Sequence, residues 1–198
     1  MKKLLPSEWN QQCFVQLTWP HKDTDWCDML DEVNQCFVEI ARNIVRFQDL
    51  LIICQDETEV RTLLQGVDMQ RIRFVELPSN DTWARDHGGI TVLEDGKPVI
   101  YDFAFNGWGK KFDADLDNQL TAKLHQMNVF GEDVAYRDCL DFVLEGGSIE
   151  SDGKGTLLTT SLCLLSDNRN DMSQEEVEIK LKNYFGLDRV LWLHYGYL

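Results

Sequence analysis

The chain has 198 residues, 43% of them apolar and 27% charged, which fits one folded domain with a sizeable core. No apolar run approaches the roughly 20 residues that a bilayer crossing needs, so helical membrane spans and wholesale disorder are excluded. Nineteen Lys and Arg against 34 Asp and Glu leave a formal charge of −15, which repels a phosphate backbone and favours cationic small molecules over nucleic acid as partners.

At the N-terminus, Lys2 and Lys3 precede only Leu4 and Leu5 before Pro6, too little apolar sequence for a secretory signal. A cytoplasmic protein with reduced thiols is therefore expected. Residues 13–18 read as a short strand. A long amphipathic helix follows, in which Trp26, Leu30, Val33, Phe37, Ile40, Ile44 and Phe47 recur at helical spacing. Leu50 to Cys54 is a continuous apolar run, as in a strand covered on both faces. A short helix at Glu57 to Leu64 leads to a third strand, Ile72 to Leu77, stopped by Pro78. The pattern so far is βαβαβ.

Beyond the polar loop SNDTWARDH, Ile90 to Leu93 and Val99 to Phe103 flank the turn signal Asp95-Gly96 and predict a hairpin. A helix is expected from Leu116 to Gln126. Phe142 to Leu144, the EGGSI segment, a turn at Asp152-Gly153 and an apolar strand through Leu157 and Leu158 come next. The capping box Ser173 to Glu176 opens a helix that ends at Gly186 and delivers a last strand, Val190 to Leu193. The six cysteines are scattered, form no CxxC pair, and read as small hydrophobes; no metal site is expected.

RDHGGITVLEDGK and LEGGSIESDGK share a carboxylate, a glycine pair, an isoleucine and an Asp-Gly-Lys turn in the same order. They read as an internal repeat in which Asp86 and Glu145 hold equivalent places. No linker separates the two units, which argues for modules of one domain spanning 1–198. Two other motifs fail on spacing. GSIESDGKGT has five residues rather than four before its second glycine, and Gly155 follows the lysine where a phosphate-binding loop has Ser or Thr. Asp113, Asp115 and Asp117 open like a calcium loop, but Asn118 and Leu124 stand where it needs Gly and Glu, so acids gathered at a helix N-terminus explain the run better.

The loop TWARDHGGI concentrates chemistry: Trp83, Arg85, Asp86, His87 and two glycines. A purely structural reading pairs Arg85 with Asp86 or a neighbouring acid and tucks Trp83 into the core; His87 is read as a structural or surface histidine in either case. The repeat favours a site instead. Two carboxylates facing one cleft beside an aromatic wall suit a planar cation, because a carboxylate takes a guanidinium in bidentate geometry.

The motifs NDTWARDHGG, FNGWGKK, FVLEGGSIESDGKGTLLTT and CLLSDNRN, with PSEW and TWP near the start, resemble those of the agmatine deiminase and bacterial peptidylarginine deiminase-like family over essentially the whole chain. That resemblance implies an α/β fold of the guanidino-group-modifying enzymes, a pseudo-fivefold propeller (pentein) of ββαβ modules. It implies hydrolysis of a guanidino substrate, agmatine first and arginine derivatives or peptidylarginine second. A cysteine attacks the guanidinium carbon, ammonia leaves, and water resolves the thiouronium without metal or cofactor. By motif, Asp86 resembles the carboxylate that grips the guanidinium, Glu145 the one that orients a catalytic histidine, and Trp83 an aromatic beside the substrate.

The chain also departs from the family. Only one histidine, His21, is followed two residues later by an aspartate, Asp23, and it stands near the start of the chain, whereas in the family the His-x-Asp pair comes after a strand like Val190–Leu193. None of the six cysteines stands at the family's nucleophile position. The expectation is therefore the N-terminal part of a deiminase, inactive alone, with a homo-oligomer left open. A non-catalytic binding module of the same architecture and an amidinotransferase are the alternatives; the two retained carboxylate motifs weigh against the first.

Overall fold

A computed structural model describes residues 2–195. The strands are, in chain order, β1 (Lys3–Leu4), β2 (Phe14–Thr18), β3 (Asp49–Cys54), β4 (Ile72–Glu76) and β5 (Ile90–Glu94). β6 (Lys97–Ala104), β7 (Ala135–Val143), β8 (Ile149–Ser151), β9 (Thr156–Thr160) and β10 (Arg189–Leu193) follow. The chain divides into two compact units. The first takes the segment up to Asn10, Arg85–Ala114 and the segment from Asn118 onward; the second takes Gln11–Ala84 and Asp115–Asp117. The mixed α/β class expected from the sequence is the one observed.

The second unit is the βαβαβ element. Its sheet has the order β2-β3-β4, all parallel. β3 is central, which is why Leu50 to Cys54 are all buried. The helix Leu30–Ile44 buries Ala41 against this sheet's core and places Asn34 to accept from the Trp19 indole at 2.8 Å. It is shorter than its periodicity suggested. Trp26 lies before a 3-10 turn, Cys27–Met29, and Phe47 lies past the helix end and is 74% exposed. The chain has only four residues between Ile44 and β3, so it leaves the helix early to enter the sheet. The helix Glu57–Leu63 starts where Asp56 accepts from the backbone N–H groups of Thr58 and Glu59, relieving two orphan donors.

The first unit contains two modules of one plan. Hairpin β5/β6, the helix Leu120–Gln126 and β7, parallel to β6, make one; hairpin β8/β9, the helix Gln174–Phe185 and β10, parallel to β9, make the other. Asp95 and Gly96 have φ of 48° and 83°, as the tight turn of the first hairpin requires. The Ser173–Glu176 capping box is formed, and Gly186 closes that helix at φ 68°, where a Cβ would come within 2.5 Å of the Lys3 carbonyl oxygen. In the core between, Phe103 packs edge to face against Phe142 and Tyr184, and Phe185 lies tilted against Phe103 and Tyr184.

Three expectations change here. β7 begins at Ala135, well before Phe142, although Arg137, Asp138 and Asp141 break up its apolar residues. It is the outer strand of the order β1-β5-β6-β7, and Arg137 is tied to both carboxylate oxygens of Glu94 at 2.8 and 2.9 Å. The helix expected from Leu116 begins at Leu120 behind a 3-10 turn, Asp117–Gln119. Asp117 is not a solvated helix-end acid: it is buried in the second unit and accepts from the backbone N–H of Asn80 at 2.7 Å and of Asp81 at 3.2 Å. Among the described residues no helix is long and apolar enough to cross a membrane.

Candidate functional site

Asp86 and Glu145 hold the same place in the two modules, each in the turn that feeds the first hairpin strand, Asp86 ahead of Ile90 and Glu145 ahead of Ile149. The two turns touch closely enough to require glycine. A Cβ on Gly146 would sit 2.3 Å from the Arg85 carbonyl oxygen, and one on Gly147 would sit 2.3 Å from Asp86 Oδ1. Gly146→Ala is expected to lower stability by about 1–3 kcal/mol, because backbone must shift. Gly147→Ala should cost less, since a side chain rather than backbone must move, at the loss of the Asp86 hydrogen bonds to Gly147 and Trp108; urea denaturation of both variants makes the comparison.

Asp86 is half-buried and fixed at both oxygens. The Gly147 N–H donates to Oδ1 and the Trp108 indole Nε1–H donates to Oδ2, each at 3.1 Å. Burial raises its carboxyl above the usual range, those two hydrogen bonds oppose the shift, and the negative charge of Glu145 adds to it. Of the partners that a structural reading offers Arg85, which are Asp86 or a neighbouring acid, it takes an acid other than Asp86. Its guanidinium reaches Glu8 at 2.7 Å and donates to the Ile149 carbonyl oxygen at 3.3 Å.

Glu145 is 2% exposed. Arg169 closes a fork on Oε1, with Nε and Nη2 both at 2.9 Å, and the Cys163 thiol donates to Oε2 at 3.8 Å. Burial, with the Glu145 charge, pushes that thiol up to about 11, so it is neutral at physiological pH and a poor nucleophile. Burial likewise raises Cys54 to about 12 and Cys139 to about 11.

Trp108 owes its aim to a left-handed turn. Gly107, Trp108, Gly109 and Lys110 all have positive φ, between 56° and 84°, which is costly for the two residues that carry a Cβ. Asn106 accepts from the Gly109 N–H at 2.8 Å, and Phe105 and Phe112 pack edge-on against the indole. His87 is buried beside Phe105, and desolvation lowers its imidazole to about 4, so it is neutral. Trp83 belongs to the second unit. It is 43% exposed, so it is not a core residue there; its indole donates to Asp81 Oδ2 at 3.2 Å and its ring lies tilted against Trp26.

Sequence reasoning singled out Asp86, Glu145 and the glycine pairs but passed over Trp108, Asn168 and Arg169 as individual residues. The signal was present in the strings FNGWGKK and CLLSDNRN.

Comparison with known proteins adds the following. The profile of the Porphyromonas-type peptidyl-arginine deiminase family matches residues 4–198. The chain is 34% identical to agmatine deiminase of Stutzerimonas stutzeri over 97% of its own length and 53% of that protein. It is 35% identical to agmatine deiminase of Pseudomonas aeruginosa over the same shares. Among solved structures, a Porphyromonas gingivalis protein provisionally described as an arginine deiminase is 52% identical with a TM-score of 0.93, over 100% of this chain and 58% of that one. A C. jejuni agmatine deiminase with a cysteine-to-serine change and bound substrate is 35% identical with a TM-score of 0.90, over 99% and 57%. The chain thus spans about half the length of the curated relatives it matches.

Proposed function

The chain belongs to the Porphyromonas-type peptidyl-arginine deiminase family, and from that membership we propose that it supplies guanidinium-gripping carboxylates to a hydrolytic deiminase acting on agmatine. The observation that carries this reading is Asp86. It is a half-buried carboxylate, raised by desolvation, held in one orientation by two donors, and set beside a second acid. A planar cation offsets that desolvation with bidentate hydrogen bonds, and the surplus of acidic residues over the whole chain favours a cationic ligand. The names of relatives such as the agmatine deiminases support agmatine as the substrate, and the family's own description and the P. gingivalis protein support peptidylarginine or free arginine as the second reading.

In the reaction we propose, a cysteine thiolate attacks the guanidinium carbon and one nitrogen leaves as ammonia. Water then displaces the thiolate from the thiouronium to give the ureido product. Cys54, Cys139 and Cys163, held as thiols, are ill suited to that step. Asp86 would anchor the guanidinium and Glu145 would hold the histidine that moves the proton. The six free cysteines suit a reducing, cytoplasmic setting.

Calorimetry tests the reading on the chain itself. Agmatine should bind, Asp86→Asn should abolish the heat, and no ammonia should be released. Because only ionised Asp86 grips a cation, affinity should fall tenfold for each pH unit below its raised pKa and be constant above it. Binding indifferent to Asp86→Asn would sink the assignment. So would turnover that disappears when one of the chain's own cysteines is replaced.

A further inference from the structure

Asp86 and Glu145 do not share a hydrogen bond, yet a continuous set of contacts joins them. Arg169 forks onto Glu145 Oε1. The adjoining Asn168 grips the left-handed turn at two points: its Nδ2 donates to the Gly109 carbonyl oxygen at 3.0 Å, and its own carbonyl oxygen accepts from Asn106 Nδ2 at 2.9 Å. The fit is close, since a Cβ on Gly109 would lie 2.5 Å from Asn168 Nδ2 and 2.6 Å from Arg169 Nη1. That turn carries Trp108, whose indole donates to Asp86.

We propose that Asn168 and Arg169 are positioning residues that couple the two carboxylates. Arg169 pins the 166–170 segment on Glu145, and Asn168 transmits that position to the turn that aims Trp108 at Asp86. Trp108 and Lys110 sit in left-handed backbone, a conformation that persists only when its surroundings over-determine it. Asn106 contributes from within the turn, and Asn168 is a clamp from a different module. Neither Asn168 nor Arg169 hydrogen-bonds Asp86: Asn168 reaches it through the turn that carries Trp108, and Arg169 acts both through that segment and through Glu145 and the adjoining Gly147 N–H, which makes Asn168 the cleaner test.

The reading of Asp86 as the guanidinium grip underlies the functional meaning of this coupling, but its physical test needs no substrate. The chain carries six tryptophans, so protein labelled with ¹⁵N at the indoles shows resolved Nε1–H signals, and the Trp108 signal is the one lost in Trp108→Phe. In the unaltered chain that signal should sit at a hydrogen-bonded position and move with pH as the Asp86 carboxyl titrates. Its midpoint is set by burial, by the Trp108 indole and Gly147 N–H donors, and by the charges of Glu145 and Arg85. In Asn168→Ala it should shift to the free-indole position and lose that transition while the other five signals stay. Arg169→Gln should do the same, and Arg169→Lys should restore part of the effect by returning a cation to Glu145.

Asn168 is exposed, so its alanine variant keeps the fold and decides the matter even if Arg169→Gln unfolds. A Trp108 signal and transition unchanged in Asn168→Ala overturn the proposal. Failure of the unaltered chain to bind agmatine would instead overturn the functional reading and leave the Trp108 result standing.

Discussion

In a full-length deiminase that carries this chain as its matching half, Asp86→Asn is expected to lower kcat/KM for agmatine by roughly two to four orders of magnitude while the melting temperature barely moves. Removing one partner of a buried ion pair costs about 3–5 kcal/mol, and each 1.36 kcal/mol is a decade of rate. Without substrate the same change costs the fold little. Burial and the Glu145 charge already disfavour the ionised form of Asp86, so neutralising it relieves both. The asparagine oxygen can still accept from Trp108 or Gly147, though it cannot serve both as the carboxylate does. Steady-state kinetics beside a thermal melt separate the roles. A variant that stays active but melts far lower would make Asp86 a structural anchor for the two turns.

Legibility in the sequence followed the range of the interaction. The run Leu50 to Cys54 reveals a covered strand because burial on both faces is a property of the strand itself. The capping box at Ser173 and the turn at Asp95-Gly96 are equally local, and the structure has both. β7 was hidden because Arg137, Asp138 and Asp141 break up its apolar residues, and what makes it a strand is pairing with β6 and the Arg137 fork on Glu94, a residue two strands away. The helix Leu30–Ile44 shows the opposite error: apolar spacing continued through Trp26 and Phe47, but the connection to β3 ended the helix first.

The site divides the same way. The two carboxylates and their glycine pairs were visible because a repeat prints the same letters twice, and the 2.3 Å approaches at Gly146 and Gly147 supply the physical reason for those glycines. Trp108 could not be placed from its letters, since a tryptophan in left-handed backbone is disfavoured and only the clamp around it makes that geometry tenable. The Arg169–Glu145 fork spans 24 residues and two elements, so no periodicity announces it.

Asp102 is expected to be the costliest carboxylate in the first unit, and Asp102→Asn to stabilise the protein by about 3 kcal/mol at pH 8. It is 2% exposed on β6, accepts from the Tyr136 hydroxyl at 2.7 Å, and lies opposite Asp138 of β7. Burial is the main reason its carboxyl is raised from 3.8 to about 6; the Tyr136 hydrogen bond opposes the shift and the Asp138 charge reinforces it. Below 3.8 the folded and unfolded chains both hold the proton and the group costs nothing. Between 3.8 and 6 the folded chain holds it more tightly, so stability falls as pH rises. Above 6 both forms are ionised and the full penalty is present. Asparagine keeps an acceptor for Tyr136 and carries no charge to desolvate, so its advantage should be complete at pH 8, shrink through pH 6, and vanish below 4. Urea midpoints of the two proteins across that range give the curve. An advantage that is the same at pH 4 and pH 8 would show that folding does not shift the Asp102 pKa, one that keeps growing well above pH 6 would show that the carboxyl stays protonated inside the fold, and a loss at pH 8 would show that its charge is needed there.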